Sequence, residues 1–102
     1  FISARVTQIY DTGVCVYFYY AFCYKEMDRP WLVYAELENI ARHVILEEGG
    51  SLSHHHGIGK IRKRFLTRIM SPATMAWNRE SKRAIDPGNI FGTNNHLINE
   101  EE

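Results

Sequence analysis

The feature that most constrains the fold of this chain is a run of apolar and aromatic residues at positions 14–24, with the sequence VCVYFYYAFCY. Aromatic and β-branched side chains favour strands over helices, so the run predicts a β-strand. Because both faces of that strand would be apolar, we expect it to lie in the middle of a sheet that is covered on both sides. The run is also shorter than the roughly 20 residues that a membrane-spanning helix needs, which favours a soluble protein.

A second strand is predicted just upstream, at residues 2–10, where the sequence ISARVTQIY is rich in β-branched residues. The intervening Asp-Thr-Gly is typical of a turn, since Asp bonds its own backbone and Gly tolerates a positive φ. The two strands therefore predict an antiparallel hairpin. On the second strand, alternation places Tyr17 and Tyr19 on one face and Phe18 on the other.

A long helix is predicted after the hairpin. Asp28 is its expected N-cap and Pro30 lies in its first turn, where a missing N–H costs nothing. Two adjacent glycines at 49–50 are expected to end it. Five apolar residues recur at helical spacing and form one face: Val33, Leu37, Ile40, Ala41 and Val44.

The second half of the chain predicts further helices. Residues 51–60 read as a loop or short extended segment, and residues 61–70 as a basic, moderately amphipathic helix. Ser71 is the expected cap of another helix, and Asp-Pro-Gly-Asn at 86–89 is a turn. In that last helix three residues are expected to face inward: Met75, Ala76 and Ile85.

Length and composition bound the architecture. A chain of 102 residues allows one small domain, and 45% hydrophobic with 24% charged residues is ordinary for a globular segment. The net charge of zero gives no indication of steering towards nucleic acid or an acidic membrane. The predicted class is α+β, with antiparallel strands packed against helices. We expect one domain at residues 1–92 and a polar tail at residues 93–102.

The two cysteines are predicted to be free thiols. If Cys15 and Cys23 lie in one strand, their Cα atoms are about 26 Å apart, whereas a disulfide needs less than about 7 Å. Free thiols favour a reducing compartment over secretion.

The segment most suggestive of chemistry is GGSLSHHHGIGK at residues 49–60. Its four glycines indicate a backbone that turns sharply or approaches another group closely. Three adjacent imidazoles, His54, His55 and His56, titrate near neutral pH and can act as bases, donors or ligands. In an extended segment the first and third face one way and the second the other, so we expect them to have different roles.

Residue chemistry alone leaves several interpretations of this loop open. A zinc site is one, although three-histidine catalytic sites usually draw their ligands from separated positions. A phosphate cradle is another, although the glycines after the histidines do not have P-loop spacing. The basic residues that follow are by default a solvated helix face, with contacts to a phosphate-bearing ligand as the alternative: Lys60, Arg62, Lys63, Arg64 and Arg68.

Three segments carry a family resemblance that covers residues 5–94 in order. They are RVTQIYDTGVCVYFYYAF, GGSLSHHHGIGKIRKRFL and IDPGNIFG, of which Ser-His-His-His-Gly is the most distinctive part. Together they closely resemble the alkylglycerone-phosphate synthases (alkyl-dihydroxyacetonephosphate synthases), a family of vanillyl-alcohol-oxidase-type flavoproteins. The resemblance implies that the chain is part of the C-terminal, ferredoxin-like cap domain of a larger FAD-linked enzyme.

The resemblance also implies an activity. Enzymes of this family exchange the acyl chain of acyl-dihydroxyacetone phosphate for a long-chain fatty alcohol in ether lipid biosynthesis, with FAD as cofactor. Tyr17 matches the family's active-site tyrosine, which is thought to act in proton transfer. His54, His55 and His56 match a motif that is needed for activity and lies beside the flavin. From the residue alone, a core aromatic is the simpler interpretation of Tyr17.

Other parts of such an enzyme are expected to lie outside this sequence. It has no glycine-rich pyrophosphate loops, and the family's phosphate-binding arginines lie upstream of the region covered. The first residue is Phe1 rather than Met, which predicts a fragment that is inactive alone. The resemblance further implies a peroxisomal homodimer with peripheral membrane association, although residues 99–102 are not a Ser-Lys-Leu-type signal.

Two rival functions stay open at this point. One is an FAD-linked hydroxyacid or alcohol oxidoreductase that uses the same cap domain. The other is a stand-alone metal-binding or interaction module built on the histidine loop.

Overall fold

The computed structural model describes residues 1–93. The chain forms two compact units, Phe1–Gly50 and Ser51–Glu102. The first contains a β-hairpin and a long helix, and the described part of the second, residues 51–93, contains the histidine loop and three helical segments. A single domain over residues 1–92 stays a prediction, and the predicted polar tail lies outside the described residues apart from Thr93.

The predicted antiparallel hairpin is confirmed. Strand β1 spans Ile2–Tyr10 and pairs with strand β2, Gly13–Tyr20. An irregularity between Val6 and Gln8 leaves Thr7 without a partner in the strand register, as in a β-bulge. Strand β2 ends at Tyr20, four residues before the end of the predicted strand at residue 24.

The expectation of a central strand covered on both faces is wrong for the described part of the chain. Strand β2 pairs only with β1 there. Val16 and Phe18 on one face and Tyr19 on the other are all exposed. Aromatic content therefore predicted the strand correctly, but it did not predict what covers it, because propensity measures fit to a pleated surface and not the identity of the neighbour.

Helix α1 spans Pro30–Glu47, close to its prediction. Asp28 does not cap it, because the N-cap is Arg29 and no side chain makes a capping hydrogen bond. Gly49 ends the helix with φ of 77°, as predicted. A Cβ on Gly50 would lie 2.8 Å from Ile45 Cγ2, so the close return of the backbone there also requires glycine.

The apolar face predicted for α1 is largely exposed. Val33, Ile40 and Val44 are each more than 40% exposed. The half-buried stripe of the helix runs instead through Ala41 and Ile45. The periodicity located an apolar face correctly, and the neighbours present in the first unit cover only its edge.

In the second unit, two short helical segments stand in place of the single helix predicted at residues 61–70. Helix α2 spans Gly59–Arg62, and a 3₁₀ helix follows over Lys63–Arg68. The tighter 3₁₀ winding eclipses residues three apart and so departs from the α-helical periodicity on which the prediction rested. This segment carries Phe65 and Leu66, which with Leu52 are the buried apolar side chains of the described residues.

Helix α3 spans Pro72–Ile85 and begins as predicted, with Ser71 Oγ accepting a hydrogen bond from Thr74 N at 3.1 Å. Met75 is half-buried, but Ala76 is exposed and Ile85 is 84% exposed, so the inward orientation predicted for these two residues is wrong. The helix ends at Asp86, where the chain turns.

The turn predicted at residues 86–89 is present and is organised by the Asp86 carboxylate. It accepts hydrogen bonds from Ile90 N at 3.1 Å and Phe91 N at 2.9 Å and pairs with Lys82 Nζ. These bonds hold the pKa of Asp86 down at about 2, with the Lys82 bond the largest cause. No helix among the described residues has both the length and the apolar character needed to cross a membrane.

Candidate functional site

The histidine loop lies between a buried anchor and a short helix. Leu52, only 2% exposed, fixes its start, and α2 begins three residues after His56. Gly57 and Gly59 adopt φ of 76° and 56°, a left-handed conformation that residues with a Cβ rarely adopt. The glycine-rich pattern of the sequence therefore reflects real backbone reversals directly after the histidines.

The three imidazoles contact one another in a row. The rings of His54 and His55 meet edge to face with centroids 5.1 Å apart, and those of His55 and His56 with centroids 4.2 Å apart. His54 Nδ1 and His55 Nδ1 share a hydrogen bond of 2.8 Å. The expectation that alternate histidines face opposite ways is wrong, because the segment bends at each histidine and is not an extended strand.

This clustering changes the acid–base behaviour of the central ring. The pKa of His55 is lowered from its usual 6.5, first by desolvation and then by the neighbouring His56 and His54. A lowered pKa keeps an imidazole neutral at pH 7, and a neutral ring has one nitrogen that donates and one that accepts. At pH 7 His55 is therefore a neutral ring, with one nitrogen that can accept a proton and one that can donate.

Polar side chains hold both flanks of the loop. Ser51 Oγ donates to the Ser53 carbonyl at 3.0 Å, and Arg62 Nη1 donates to the Gly57 carbonyl at 3.2 Å. Ser53 Oγ and Arg62 Nε are themselves buried without a hydrogen-bond partner among the described residues. Buried polar atoms are nearly always satisfied in a complete structure, so both flanks present a hydrogen-bonding group to something else.

The predicted tyrosine lies in the first unit, on strand β2. Tyr17 is half-buried and its ring stacks on that of Tyr19, with centroids 6.1 Å apart. Arg5 is the residue opposite Tyr17 on β1, and its guanidinium lies 5.5 Å from the centre of the Tyr19 ring. Tyr17 belongs to the first unit, and the three histidines belong to the second. The structure therefore brings the histidines together as one group and describes the surroundings of Tyr17 on their own.

A polar network in the first unit was not singled out from the sequence. Tyr20 donates to Glu38 Oε1 at 2.7 Å, and Arg42 Nη2 donates to Glu38 Oε2 at 3.2 Å. The rings of Tyr20 and Tyr34 stack 5.8 Å apart beside an open cleft of about 410 Å³. Burial first, then hydrogen bonds with Tyr34 and Glu38, raise the pKa of Tyr20 above its usual range. The spacing of Glu38 and Arg42 is the signal that sequence reasoning could have used.

The remaining predicted groups have simpler surroundings. Cys15 and Cys23 are free thiols, as predicted, although Cys23 lies beyond the end of β2. In the basic segment, Arg64 lies over the Phe65 ring at 5.2 Å and Lys60 is exposed. Across residues 1–93 the described side chains include no group of three or more His, Cys, Asp or Glu arranged to hold a metal ion.

Comparison with known proteins gives a family match over nearly the whole chain. The family described as "FAD linked oxidases, C-terminal domain" matches residues 1–95. No solved structure matches the chain.

Curated relatives match the same region. The chain is 43% identical over 93 residues to "Alkyldihydroxyacetonephosphate synthase" of Caenorhabditis elegans, which covers 91% of this chain and 16% of that protein. It is 35% identical over 89 residues to the protein of the same name from Dictyostelium discoideum, covering 87% of this chain and 14% of that protein. For the Trypanosoma brucei brucei protein of that name the identity is 30% over 90 residues, with 87% and 14% covered. The chain thus spans less than one-fifth of the length of these relatives.

Proposed function

Because the chain belongs to the family of FAD-linked oxidase C-terminal domains, we propose that it forms the proton-transferring part of an alkyldihydroxyacetonephosphate synthase. The resemblance inferred from its sequence is confirmed by the three relatives that carry this name. The proposed reaction replaces the acyl chain of acyl-dihydroxyacetone phosphate by a long-chain fatty alcohol. The products are alkyl-dihydroxyacetone phosphate and a fatty acid.

The observation that carries the proposal is the hydrogen bond between the Nδ1 atoms of His54 and His55. When both rings are neutral, one Nδ1 must donate and the other must accept. The donating ring then has a lone pair on Nε2, whereas the accepting ring has a proton on Nε2. The pair therefore offers one base and one acid. When the base takes up a proton on Nε2, its Nδ1 proton can pass to the other ring, which then releases its own Nε2 proton, and the two rings have exchanged roles.

The proposed reaction needs such a pair. The fatty alcohol loses its hydroxyl proton as its oxygen bonds to the substrate carbon, and the acyl chain leaves as a carboxylate, so one proton is released for each ether bond made. A neutral imidazole near pH 7 suits the removal of that proton. The lowered pKa of His55 keeps it in the required neutral form. We assign the base–acid pair to His54 and His55, with His56 packed against the second ring.

Tyr17 is proposed to supply a second proton-transfer group. Its hydroxyl is placed by a strand and by a stack on Tyr19, so the ring has little freedom to turn. Arg5 lies directly across the hairpin and brings a positive charge to the same face. A tyrosine hydroxyl both donates and accepts hydrogen bonds, so it can pass on a proton during the exchange.

The residues at the histidine loop fit the cofactor that the family name implies. Ser53 Oγ is a buried donor that no described residue satisfies, and an isoalloxazine ring carries carbonyl oxygens and ring nitrogens that accept hydrogen bonds. The Ser53 hydroxyl would donate to the ring edge, beside the imidazoles. When bound, FAD would supply an electrophilic and nucleophilic ring system for an exchange with no net oxidation.

The finer parts of the proposal rest on the family resemblance. They are peroxisomal localisation, a homodimer and peripheral membrane association of the whole protein. Fractionation of cells that express the whole protein, followed by sedimentation analysis of the purified protein, tests all three. Recovery of a monomer in the cytosolic fraction would contradict them.

The experiment that tests the activity uses the full-length protein with FAD. We expect isotope-labelled hexadecanol to enter alkyl-dihydroxyacetone phosphate while the flavin absorbance stays unchanged at completion. Net bleaching of the flavin by hydroxyacids, without ether formation, would favour the oxidoreductase. Stoichiometric zinc retention in equilibrium dialysis, with neither reaction observed, would favour the metal-binding module.

A further inference from the structure

We infer that Arg62 is a positioning residue, which holds the backbone after His56 so that the three imidazoles keep their mutual contacts. The inference rests on the proposed function, because it assigns to Arg62 the arrangement of the groups that would transfer protons. Nothing in the sequence separated Arg62 from the other basic residues around it.

A hydrogen bond connects the Arg62 side chain to the backbone of Gly57. Arg62 Nη1 donates to the Gly57 carbonyl at 3.2 Å, across five residues. Gly57 directly follows His56 and has φ of 76°. A glycine in this region has many accessible conformations, so its own stereochemistry does not fix the peptide. The guanidinium supplies the fixed donor that selects one orientation of the peptide.

Partial burial limits the movement of the Arg62 side chain. The Nε atom of Arg62 is buried, and the side chain is half-buried on helix α2. A planar guanidinium loses less freedom for each hydrogen bond than a flexible ammonium does. Arg62 can therefore act as a rigid strut between α2 and the end of the histidine loop.

The contrast with Lys60 separates this role from that of a general positive charge. Lys60 lies in the same short helix, carries the same charge and is exposed. A charge effect on the loop would be shared by both residues. A positioning effect belongs to Arg62, whose side chain donates to the loop backbone.

The test compares Arg62→Ala, Arg62→Lys and Lys60→Ala in the full-length protein loaded with FAD. We expect Arg62→Ala to lower kcat by about 10- to 100-fold, because displaced catalytic groups lose near-attack geometry. KM and the bound flavin should change little, since no substrate contact is removed. Arg62→Lys should recover part of kcat, because an ammonium can also donate to the Gly57 carbonyl. Lys60→Ala should match the wild type.

A second measurement keeps the inference independent of turnover. Diethylpyrocarbonate modifies unprotonated imidazoles, and mass spectrometry follows the peptide that contains His54, His55 and His56. We expect its modification rate to rise by about twofold or more in Arg62→Ala, because the loop opens locally. The rate should fall back towards the wild-type value in Arg62→Lys.

The outcomes separate the two claims. Wild-type kcat and wild-type modification rates in Arg62→Ala would overturn the positioning role. Equal losses of kcat in Arg62→Ala and Lys60→Ala, with full rescue by Arg62→Lys, would also overturn it in favour of a charge effect. A changed modification rate in a protein that makes no ether product would support the positioning of the loop and overturn the proposed function. If Arg62→Ala does not fold, Arg62→Lys against Lys60→Ala still decides between position and charge.

Discussion

Among single residues, the contact between neighbouring imidazoles is the one on which the proposed chemistry depends. His54 and His55 share a proton between their Nδ1 atoms, and His56 packs against His55 at 4.2 Å. Two neutral imidazoles joined in this way cannot both present a base on Nε2. The chemical consequence is that one of the two histidines can act as a base while its neighbour acts as an acid.

The pH dependence of turnover should reflect the lowered pKa of His55. Since its folded-state pKa is below 6.5, His55 stays neutral as the pH falls through 6.5 and is protonated only at lower pH. We expect the acid limb of the kcat profile of the full-length enzyme to have its midpoint below 6.5. His56→Gln removes a neighbour that lowers this pKa and should move the midpoint upward. A wild-type midpoint at or above 6.5 would contradict the assignment.

Tyr17→Phe should remove a proton-transfer group while leaving the stacked ring in place. We expect kcat of the full-length enzyme to fall by about 10²- to 10⁴-fold, with the FAD content unchanged by absorbance. Tyr19→Phe is the matched control, since Tyr19 lies on the same face and stacks on Tyr17. Equal turnover in the two variants would show that the Tyr17 hydroxyl has no special role.

The candidate residues could be named from the sequence, but their arrangement could not. Three histidines among four glycines indicate a functional loop, and the family resemblance added Tyr17. The contacts between the rings depend on a bend in the backbone at each histidine. Treating the segment as an extended strand predicts the opposite, with neighbouring rings on opposite sides. Arg62 was one of several basic residues until its bond to Gly57 distinguished it.

Among the secondary-structure elements, polar side chains near the ends of helices and strands hold the adjoining backbone in place. Ser71 caps α3, and Asp86 closes the turn after it with bonds to Ile90 and Phe91. In the first unit, Tyr20 connects β2 to α1 through Glu38. These polar contacts define how each element begins or ends.

Replacement of Asp86 should destabilise the protein in a pH-dependent way. The folded-state pKa of Asp86, about 2, lies below its unfolded value of roughly 3.9. Its contribution is therefore complete above about pH 4 and is lost as the pH falls through about 2. We expect Asp86→Asn to lower the urea midpoint at pH 7, and the difference from wild type to shrink towards pH 2. Asp28→Asn, at an exposed carboxylate, is the control and should have little effect at either pH.

Removal of the Tyr20 hydroxyl should weaken the attachment of α1 to the hairpin. Tyr20→Phe deletes the 2.7 Å hydrogen bond to Glu38 and should lower the free energy of unfolding by about 1 kcal/mol. Urea denaturation monitored by circular dichroism measures the change. Tyr24→Phe is the matched control, because Tyr24 lines the same cleft and is 68% exposed. A loss in the control as large as that in Tyr20→Phe would assign the effect to the cleft and not to the bond.

The sequence predicted the elements better than their surroundings. The hairpin, α1 and the capped start of α3 follow from β-propensity, helical periodicity and the Ser-Pro pair. The 3₁₀ winding of Lys63–Arg68 does not follow, since local pattern scarcely distinguishes it from an α-helix. The exposure of the α1 face through Val33 and Val44 depends on which neighbours are present, and periodicity contains no such information.

At the scale of the whole molecule, the described residues have a small core. The buried apolar side chains are Leu52, Phe65 and Leu66, all in the second unit. Large apolar side chains on β2 and α1 are exposed, among them Phe18 and Ile40. The chain spans 14–16% of the length of the named relatives. We propose that the rest of such a protein covers these faces and supplies most of the contacts to FAD and phosphate.

The most direct test of the account is ether synthesis by a full-length enzyme whose histidine pair has been disabled. Labelled hexadecanol and acyl-dihydroxyacetone phosphate are supplied to the wild type, to the His54→Ala/His55→Ala double variant and to Lys60→Ala, with bound FAD measured in each. We expect ether product from the wild type and Lys60→Ala, and none above background from the double variant despite a full complement of FAD. Wild-type rates of ether formation from the double variant would contradict it.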